Sequence, residues 1–412
     1  MKKARAIVRY ALFALLAVLS FFVIRINLLL HTSNQAVVEQ KADIICQLSF
    51  LENELKTKDL GERMQDLFPE GFVFVNALYG LSWCELAINS NPSDESIKAK
   101  ALREALFAYQ ALDSQEAKWT FDKEMDPEYG IFYFGWKNYL LSKILRLDTN
   151  FAGHALYIKT FSQQCEHLKK ALNKSDSPYL QSYEGQAWPA DMFVAMAALN
   201  AYNQVFKPGY NNEVRQWLDK VQQRLDPATK MVPHSVNSET GMPIQGSRGS
   251  SMSLVLRLLP EIDSVFAQKQ FSLFKNRFPT KTLGLPTISE YPKGKKGSGD
   301  IDSGPVVFGV GTAATIMMIG VYANYGEAEM SAKQYATINA FGFATQWAGQ
   351  KSYLFGQLPM ADAFISWGRA SSFHDKVVDV PNSFGQLVHI LSAISLLVCW
   401  VFFIPRKPRR RV

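Results

Sequence analysis

The stretch GPVVFGVGTAATIMMIGVYA (residues 304–323) contains no charged side chain. A run of this length can cross the core of a bilayer, but it can also form a helix that is buried on every side in a folded domain. The flanks are acidic, with Asp300 and Asp302 before the run and Glu327 and Glu329 after it, and they lack the basic residues that anchor membrane spans. The sequence therefore predicts a buried helix here.

Two other apolar runs, at residues 10–30 and 384–404, have basic residues at their outer ends. Such residues are retained on the cytoplasmic side of a membrane. The pattern predicts a cytoplasmic basic tip at 1–9, a transmembrane anchor at 10–30, an extracytoplasmic domain at 31–383, a transmembrane helix at 384–404 and a cytoplasmic basic tail at 405–412. A cleaved signal peptide is the alternative for the first run, although no convincing small-x-small cleavage site follows it.

Composition and cysteine usage exclude several classes of protein. Hydrophobic residues make up 48% and aromatic residues 13% of the chain, which excludes a disordered protein. Much of the net charge of +7 sits at the two ends, so we expect no nucleic-acid-binding surface. Cys46, Cys84 and Cys165 have no CxxC spacing, and H-E-x-x-H is absent, so neither a bound metal nor a cofactor is expected. A Cys46–Cys84 disulfide and buried thiols are both open.

The predicted ectodomain alternates between two kinds of helix. Charged amphipathic helices are predicted at 34–55, 93–112, 150–172, 211–225, 261–278 and 326–343. Helices that are apolar nearly all round begin near Gly71, Gly130, Ala187, Gly249, Gly304 and Gly356, at intervals of 52 to 62 residues. Six buried helices ringed by six surface helices predict an all-α fold, an (α/α)6 toroid. An irregular helical bundle is the alternative.

Small residues fit this interpretation. Gly309, Gly311 and Gly320 are expected to let inner helices approach closely. The sequence GVGTAA (309–314) resembles a dinucleotide-binding loop, but that motif requires a preceding strand in a βαβ unit. In an all-α pattern we interpret it as a chance match.

Acidic residues cluster in the segments that lead into the inner helices, and these segments are expected to gather at one end of a toroid. Asp302 could cap the helix at Gly304, whereas Asp300 is not needed for that cap and is the better catalytic candidate. Asp191 lies just inside a helix start, where the helix dipole favours a carboxylate, and Glu184 lies in the loop before it.

Aromatic and polar residues of the same segments are candidates for substrate binding, because sugar rings stack on aromatic faces. The candidates are Tyr129, Trp136, Tyr183, Trp188, His234, Arg248 and Tyr291. A lone loop histidine such as His234 is more often solvated than catalytic. Hydrolysis of a glycosidic bond needs one protonated and one ionised carboxyl group, and we expect one from Glu184 or Asp191 and the other from Asp300 or Asp302.

Several stretches carry a family resemblance. EGQAWPADMFVAMAAL (184–199) is followed by YNNEVRQWLDKVQQRLDPATKMVPHSVNSETG (210–241), SRGSSMSLVLRLLPEIDSVFAQKQFSLFKNRF (247–278) and DIDSGPVVFGVGTAAT (300–315). The alternation resembles the six-hairpin toroid superfamily, which contains many glycoside hydrolases and polysaccharide lyases. The order of these stretches is similar to that of the linalool dehydratase/isomerase-like family. Where that enzyme relies on cysteines, this chain has Ser182 and Asp191, which favours acid–base chemistry on glycans.

Three functions follow as hypotheses. The first is a membrane-anchored, extracytoplasmic, glycoside hydrolase-like enzyme that acts on an envelope or surface glycan. The second is a lyase or isomerase of the linalool dehydratase type that acts on a small apolar alcohol. The third is a toroid without catalytic activity that binds a glycan or a protein. The expected partners are therefore a glycan or small-molecule substrate and the lipid bilayer.

Overall fold

The structure, a computed structural model, describes residues 2–31, 36–206, 209–301, 303–373, 378 and 380–401. The described residues form sixteen α-helices, which are α1 (Lys2–Leu29), α2 (Val37–Thr57), α3 (Leu60–Gln65), α4 (Gly71–Ile88), α5 (Glu95–Ala111), α6 (Gln115–Lys118), α7 (Gly130–Leu147), α8 (His154–Lys174), α9 (Pro189–Val205), α10 (Asn211–Gln222), α11 (Gly249–Leu258), α12 (Ser264–Arg277), α13 (Thr312–Asn324), α14 (Ala328–Phe341), α15 (Pro359–Ser372) and α16 (Gln386–Val401). The prediction of an all-α fold is confirmed.

Short antiparallel strands occur only in the connections of the described chain. They are β1 (Gln186–Ala187), β2 (Ser235–Asn237), β3 (Pro243–Gln245), β4 (Pro279–Thr282), β5 (Leu285–Ile288), β6 (Val306–Val307), β7 (Val310–Gly311), β8 (Thr345–Trp347) and β9 (Gln350–Ser352). The first three form one sheet in the order β1-β2-β3, and the others pair as three hairpins.

Six apolar helices form a closed ring. Helices α4, α7, α9, α11, α13 and α15 pack on one another in chain order, and α15 then packs on α4. Between Gly71 and Leu86, α4 has almost every side chain buried, as its lack of a polar face predicts. Helices α2, α5, α8, α10, α12 and α14 each pack on one or two members of the ring and keep a wet face.

The six ring helices point in the same direction. Near their N-terminal ends, the Phe74 ring of α4 lies 5.5 Å from the Phe364 ring of α15. Near their C-terminal ends, Asn89 after α4 donates to the carbonyl of Ala370 in α15 at 3.0 Å. In the same way, Asn324 at the end of α13 donates to the carbonyl of Arg257 near the end of α11 at 3.3 Å. We call the N-terminal end of the ring the rim and the C-terminal end the floor.

Local sequence signals set the helix starts. Asp94 caps α5 by accepting from the backbone N–H of Ile97 at 3.2 Å, and Asp263 caps α12 by accepting from Phe266 at 2.7 Å. Proline occupies the first position of both α9 and α15, where its missing N–H costs nothing. Gly130 begins α7 with φ +77° directly against the carbonyl of Ser182, a place where any side chain would collide.

A buried ion pair crosses the floor of the ring. Arg257 of α11 donates to both carboxylate oxygens of Glu85 on α4, at 2.6 and 2.5 Å, and these two helices lie on opposite sides of the ring. The guanidinium also lies 4.8 Å from the centre of the Trp367 ring on α15. Beside it, Lys143 of α7 donates to Glu261 at 2.8 and 3.0 Å. The floor therefore carries a network of paired, largely buried charges.

A second buried charge cluster fixes α2 to the ring. Asp43 of α2 accepts from Lys351 of β9 at 2.6 Å and pairs with Arg369 of α15 at 2.8 Å. Burial tends to raise the pKa of Asp43, but the charges of Arg369 and Lys351 outweigh it and lower this pKa. The first outer helix is thus held to the last inner helix, where the ring closes.

One helix begins later than predicted. The inner helix expected at Gly304 begins at Thr312, and residues 306–311 form the β6–β7 hairpin. Gly309 and Gly311 therefore lie in this hairpin and not in a helix contact, so that prediction is wrong for them. It holds for Gly320, which packs against Gly368 of α15 at a distance where a larger side chain would displace the helix. The helix itself, from Ala314 to Tyr322, is buried in the ring.

Among the residues that the structure describes, two helices are long and apolar enough to cross a membrane, Ile7–Leu29 and Gly71–Ile88. Gly71–Ile88 is α4, and 83% of it is buried inside the ring, so it is a core helix. In Ile7–Leu29 only 11% is buried. The predicted second span corresponds to α16, an apolar helix of 16 described residues, and residues 402–404 lie outside the described part of the chain.

Helices α1 and α16 are joined by polar side chains. Asn27 donates to Ser392 at 2.9 Å and contacts Nδ1 of His389 through its carbonyl oxygen at 2.5 Å. Nε2 of His389 is 2.9 Å from Nε2 of His31. Farther along, Trp400 donates to Ser20 at 2.9 Å. The two terminal helices therefore run antiparallel and side by side.

The cysteines of the domain are free thiols. Cys46 is half-buried on α2, whereas Cys84 and Cys165 are buried in the helical core. Burial raises the pKa of the Cys84 and Cys165 thiols. Of the two possibilities left open by the sequence, the structure therefore has thiols and no disulfide between Cys46 and Cys84.

Removal of the floor arginine should destabilise the ring. In an Arg257→Met variant the buried Glu85 carboxylate loses its bidentate partner, so the free energy of unfolding should fall by about 3–5 kcal/mol. Lys98→Met is the control, because Lys98 and its partner Glu95 are 38% and 76% exposed, and exposed pairs contribute about 0–1 kcal/mol. Denaturant unfolding of both variants in the same detergent measures the difference. Equal unfolding free energies would show that the floor pair does not hold the ring.

Candidate functional site

Loops from three consecutive inner helices meet at the rim. The β1–β2 pairing, with Ala187 opposite Val236, joins the loop before α9 to the loop before α11. The loop before α13 is joined in turn, because the backbone N–H of Gly249 donates to the carbonyl of Glu290 at 2.8 Å and Ser289 pairs with Val310. The segments that carry most of the predicted site residues are therefore neighbours in space.

The most highly connected group at the rim centres on Arg248, which directly precedes α11. Its Nε donates to Glu290 at 2.8 Å, and its two terminal nitrogens contact Asp300, one of them at 3.1 Å. Nη1 also lies 3.1 Å from Nε2 of His234, whose Nδ1 is 3.2 Å from Ser251. The ring nitrogens of His234 therefore join Arg248 to Ser251, and Nε2 also lies 3.6 Å from Oδ2 of Asp300. We call these residues the Arg248 cluster.

Within the Arg248 cluster, Asp300 is the member that reaches solvent. Its side chain is 39% exposed, whereas Arg248 and Glu290 are buried. Burial tends to raise the pKa of Asp300, but the contacts with His234 and the hydrogen bonds and charge of Arg248 outweigh it, so this pKa lies well below its usual value. Asp300 is therefore an ionised carboxylate, held in one orientation and accessible on one side.

Glu290 plays a different part. It is fully buried and accepts from Arg248 and from the hydroxyl of Ser250 at 2.7 Å, while the Ser250 N–H reaches its second oxygen at 3.1 Å. Burial raises the pKa of Glu290 in spite of the hydrogen bonds from Ser250 and the charge of Arg248. The arrangement indicates a positioning residue: Glu290 fixes Arg248, and Arg248 in turn fixes Asp300.

A second acidic group lies at the start of α9. Ser182 donates to Asp191 at 2.5 Å, and the phenol of Tyr183 donates to Glu70, the residue before α4. Asp191 is half-buried in the first turn of α9, where the helix dipole favours the ionised form. Glu184 is exposed at the tip of a two-residue turn in which Tyr183 and Gln186 pair.

Aromatic rings connect this second group with the interior of the ring. The Trp188 ring lies 6.0 Å from Tyr183, and Tyr183 stacks on Phe121 at 5.6 Å. The series continues through Phe132 to Phe74 of α4, which also contacts Phe364 of α15. Phe74 and Phe364 are only partly buried, so the α4 and α15 side of the rim is aromatic, whereas the α9 and α11 side is polar.

The structure brings together some of the predicted site residues and separates others. His234 and Arg248 lie beside Asp300, and the guanidinium of Arg248 is 5.4 Å from the ring of Tyr291. The adjoining loop carries Tyr183, Glu184 and Trp188, and Asp191 follows in the first turn of α9. Tyr129 is half-buried at the start of α7, and its ring lies 5.4 Å from that of Tyr133. Asp302 lies outside the described residues.

One predicted binding residue requires correction. Trp136 was expected to bind substrate, but it is fully buried and packs on Phe74 and Trp367, because it lies two turns inside α7 and not at the rim. His234 is not solvated as lone loop histidines usually are: it is only 4% exposed, since Arg248 and Ser251 contact its two nitrogens. Its predicted role in substrate binding stays a prediction.

Sequence reasoning missed Glu290 and Glu70 as members of the site. Glu290 follows β5, a short strand of apolar and small residues. A charged residue next to a buried strand is rarely buried unless it has a partner, and this was the available signal. Glu70 directly precedes an apolar helix, a position where exposed acidic residues are common. Only its contact with Tyr183 indicates that it belongs to the site. In the described part of the chain, no group of three or more His, Cys, Asp or Glu side chains could hold a metal ion.

Comparison with models of known protein families finds no match for this chain, and comparison with curated proteins finds none either. The resemblances to the six-hairpin superfamily and to the linalool dehydratase/isomerase-like family therefore stay predictions.

The stability contributed by Asp300 should depend on pH. Because the pKa of Asp300 is lowered on folding, its contribution is present above the ordinary aspartate pKa of about 3.9 and is lost as the pH falls below it. An Asp300→Asn variant should therefore unfold at a lower temperature than the parent at pH 7, and the gap should narrow below about pH 4.

Thermal unfolding of parent and variant between acid and neutral pH measures this gap. Asp148→Asn is the control, because Asp148 ends α7 at the floor and accepts only a local backbone N–H from Asn150 at 2.8 Å among the hydrogen bonds described. A gap between parent and Asp300→Asn that stays constant with pH would contradict the assignment of Asp300 as an ionised, paired carboxylate.

Proposed function

We propose that this protein is a membrane-anchored (α/α)6 toroid that hydrolyses glycosidic bonds at its rim. In this proposal, residues 10–30 and 384–404 cross the membrane with both termini in the cytoplasm, and residues 31–383 form the extracytoplasmic catalytic domain. The observation that carries the proposal is the Arg248 cluster, in which a solvent-accessible Asp300 is held ionised next to a second acidic loop.

The closed ring supports the fold part of this proposal. Six parallel buried helices in cyclic order, each accompanied by an outer helix, are the architecture that the alternation of the sequence predicts. The basic residues in the first turns of α1 and in the sequence after α16 support the membrane topology, since such residues are retained in the cytoplasm.

The chemistry assigns different roles to the two acidic groups. Asp300 is the base or nucleophile, because that role needs a carboxylate that stays ionised near neutral pH. Glu184 in the adjoining loop gives a proton to the departing sugar oxygen. Asp191 in the first turn of α9 is the alternative donor if substrate binding offsets the helix dipole that favours its ionised form. Trp188 and Tyr183 offer aromatic faces for a sugar ring next to these carboxyl groups. Ser182 positions Asp191 through their hydrogen bond.

A second candidate function is favoured by the aromatic side of the rim. Phe74 and Phe364 are partly buried beside Phe132, and such a wall suits a small apolar alcohol better than a sugar. A lyase or isomerase similar to the linalool dehydratase/isomerase-like family would use the same carboxyl groups to remove and donate protons. The two candidates differ in substrate and not in the residues that act on it.

Replacement of Asp300 should remove activity. The full-length protein in nanodiscs is assayed against purified envelope oligosaccharides by the release of reducing ends and, in parallel, against short-chain tertiary alcohols by gas chromatography. An Asp300→Asn variant should lose about 10²–10⁴-fold in kcat, the usual contribution of an acid–base group. Glu184→Gln and Asp191→Asn identify the proton donor, and Asp148→Asn serves as the folded control with full activity.

Full glycan hydrolysis by Asp300→Asn would remove Asp300 from the mechanism. Turnover of alcohols without release of reducing ends would support the second candidate and overturn the first.

A further inference from the structure

Helix α1 leaves the domain in the direction of the rim. Outer helix α14 runs from the floor to the rim, antiparallel to α13, on which it packs through the bond from Ser331 to the carbonyl of Ile319 at 2.7 Å. The C-terminal end of α1 lies along α14, where the carbonyl of Leu29 accepts from Asn339 at 3.3 Å. Two turns earlier in α1, Phe22 packs on Phe343, beyond the rim end of α14, with ring centres 5.4 Å apart.

Helix α16 leaves in the same direction. It begins beside the β4–β5 turn, where Leu387 lies next to Gly284, and it then runs antiparallel to α1. Because the two helices exit side by side toward the rim, a bilayer that contains them lies on the rim side of the domain and not on the floor side.

The length of α1 sets the depth of the rim. From Ile7 to Phe22 the helix rises by roughly 22 Å, which is less than the roughly 30 Å hydrocarbon core that a span must cross. The residues between Phe22 and Leu29 must then also lie in the bilayer or its interface. Phe343 and Phe355, which contact Phe22 at 5.4 and 6.4 Å, are therefore level with the outer leaflet.

Several exposed apolar side chains lie at the rim. Phe308 at the β6–β7 tip is 98% exposed. Trp119 is 73% exposed next to Thr120, which donates to the carbonyl of Pro69 just before α4. Ile244, Ile301 and Phe355 are exposed on other rim loops. Clustered exposed apolar side chains mark interaction surfaces, and tryptophan favours the membrane interface.

We infer that the rim faces the bilayer and that the site takes a lipid-linked substrate, whose polar head enters the ring from the membrane. The inference rests on the proposed function for the chemical nature of that head, a glycan, and adds the lipid chain. The apolar tips dip among the lipid headgroups, and the polar Arg248 cluster then lies directly above them. The aromatic side formed by Phe74 and Phe364 accepts the first part of the lipid chain.

The orientation is tested by quenching from within the membrane. Single cysteines replace Phe308 or Trp119 in the full-length chain, with Cys46 and Cys399 changed to serine. Each carries an environment-sensitive fluorophore in vesicles of lipids brominated on the acyl chain, and both labels should be quenched. Val265→Cys is the matched control, because Val265 is also apolar and 79% exposed but lies at the floor end of α12. Quenching at residue 265 but not at 308 and 119 would overturn the inference, and so would the absence of quenching at all three positions.

The substrate class is tested by binding, which needs no turnover. Nanodisc-embedded protein is titrated with a disaccharide that carries a long prenyl chain and, separately, with the same free disaccharide. The prenyl compound is confined to the bilayer beside the rim, which raises its local concentration. Its concentration at half-saturation should therefore be at least about tenfold lower than that of the free disaccharide. A combined Phe308→Ser and Trp119→Ser variant should lose this preference, whereas Val265→Ser should keep it.

Equal binding of the two disaccharides, or binding of neither, would overturn the lipid-linked substrate. Failure of the proposed function would give a different result. Either Asp300→Asn would hydrolyse glycans fully, or the parent protein would hydrolyse none, while the preference for the prenyl compound persisted in the binding titration.

Discussion

The structure depends most on the ion pair between Arg257 and Glu85. These side chains come from opposite members of the ring and meet at its centre, so they set the distance across it. Both side chains are almost fully buried, and a buried charge is costly unless it is paired. The pair therefore fixes which helices face one another, while the apolar side chains around it only require that they be buried. The candidate site residues lie at the opposite end, the rim.

Helix α11 carries an arginine at each end, and both are bound by carboxylates. Arg257 closes the floor, and Arg248 organises the rim through Glu290 and Asp300. An arginine at a helix N-terminus is unfavourable next to the helix dipole unless anions surround it, and here two carboxylates do so. The same short helix thus links the stability of the ring to the orientation of the candidate catalytic carboxylate. A disturbance of α11 would reach both ends of the domain.

The sequence indicates the helical pattern well because buried and half-exposed helices differ in composition over whole turns. The starts at Gly71, Gly130 and Gly249 are confirmed to the residue. The start at Gly304 was wrong, because the apolar run continues through the β6–β7 hairpin and hydrophobicity alone does not separate a hairpin from a helix. Contacts between distant segments, such as Arg248 with Asp300 or Tyr183 with Glu70, leave no periodic signal in the chain and could only be seen in three dimensions. Trp136 is a further example. The sequence near a helix start does not distinguish an aromatic side chain that faces the core from one that faces the rim.

The closing contact between α15 and α4 has a consequence for the order of synthesis. The two helices are separated by most of the domain in the chain, so the ring cannot close until the last inner helix has been made. Until then α4, which has the length and hydropathy of a membrane span, has no partner on one side. In the proposed topology this segment passes through a translocation channel, where a helix of such hydropathy competes for lateral release into the bilayer. A weaker closing helix α15 is therefore expected to leave α4 unpaired for longer and to increase the share of misinserted chains.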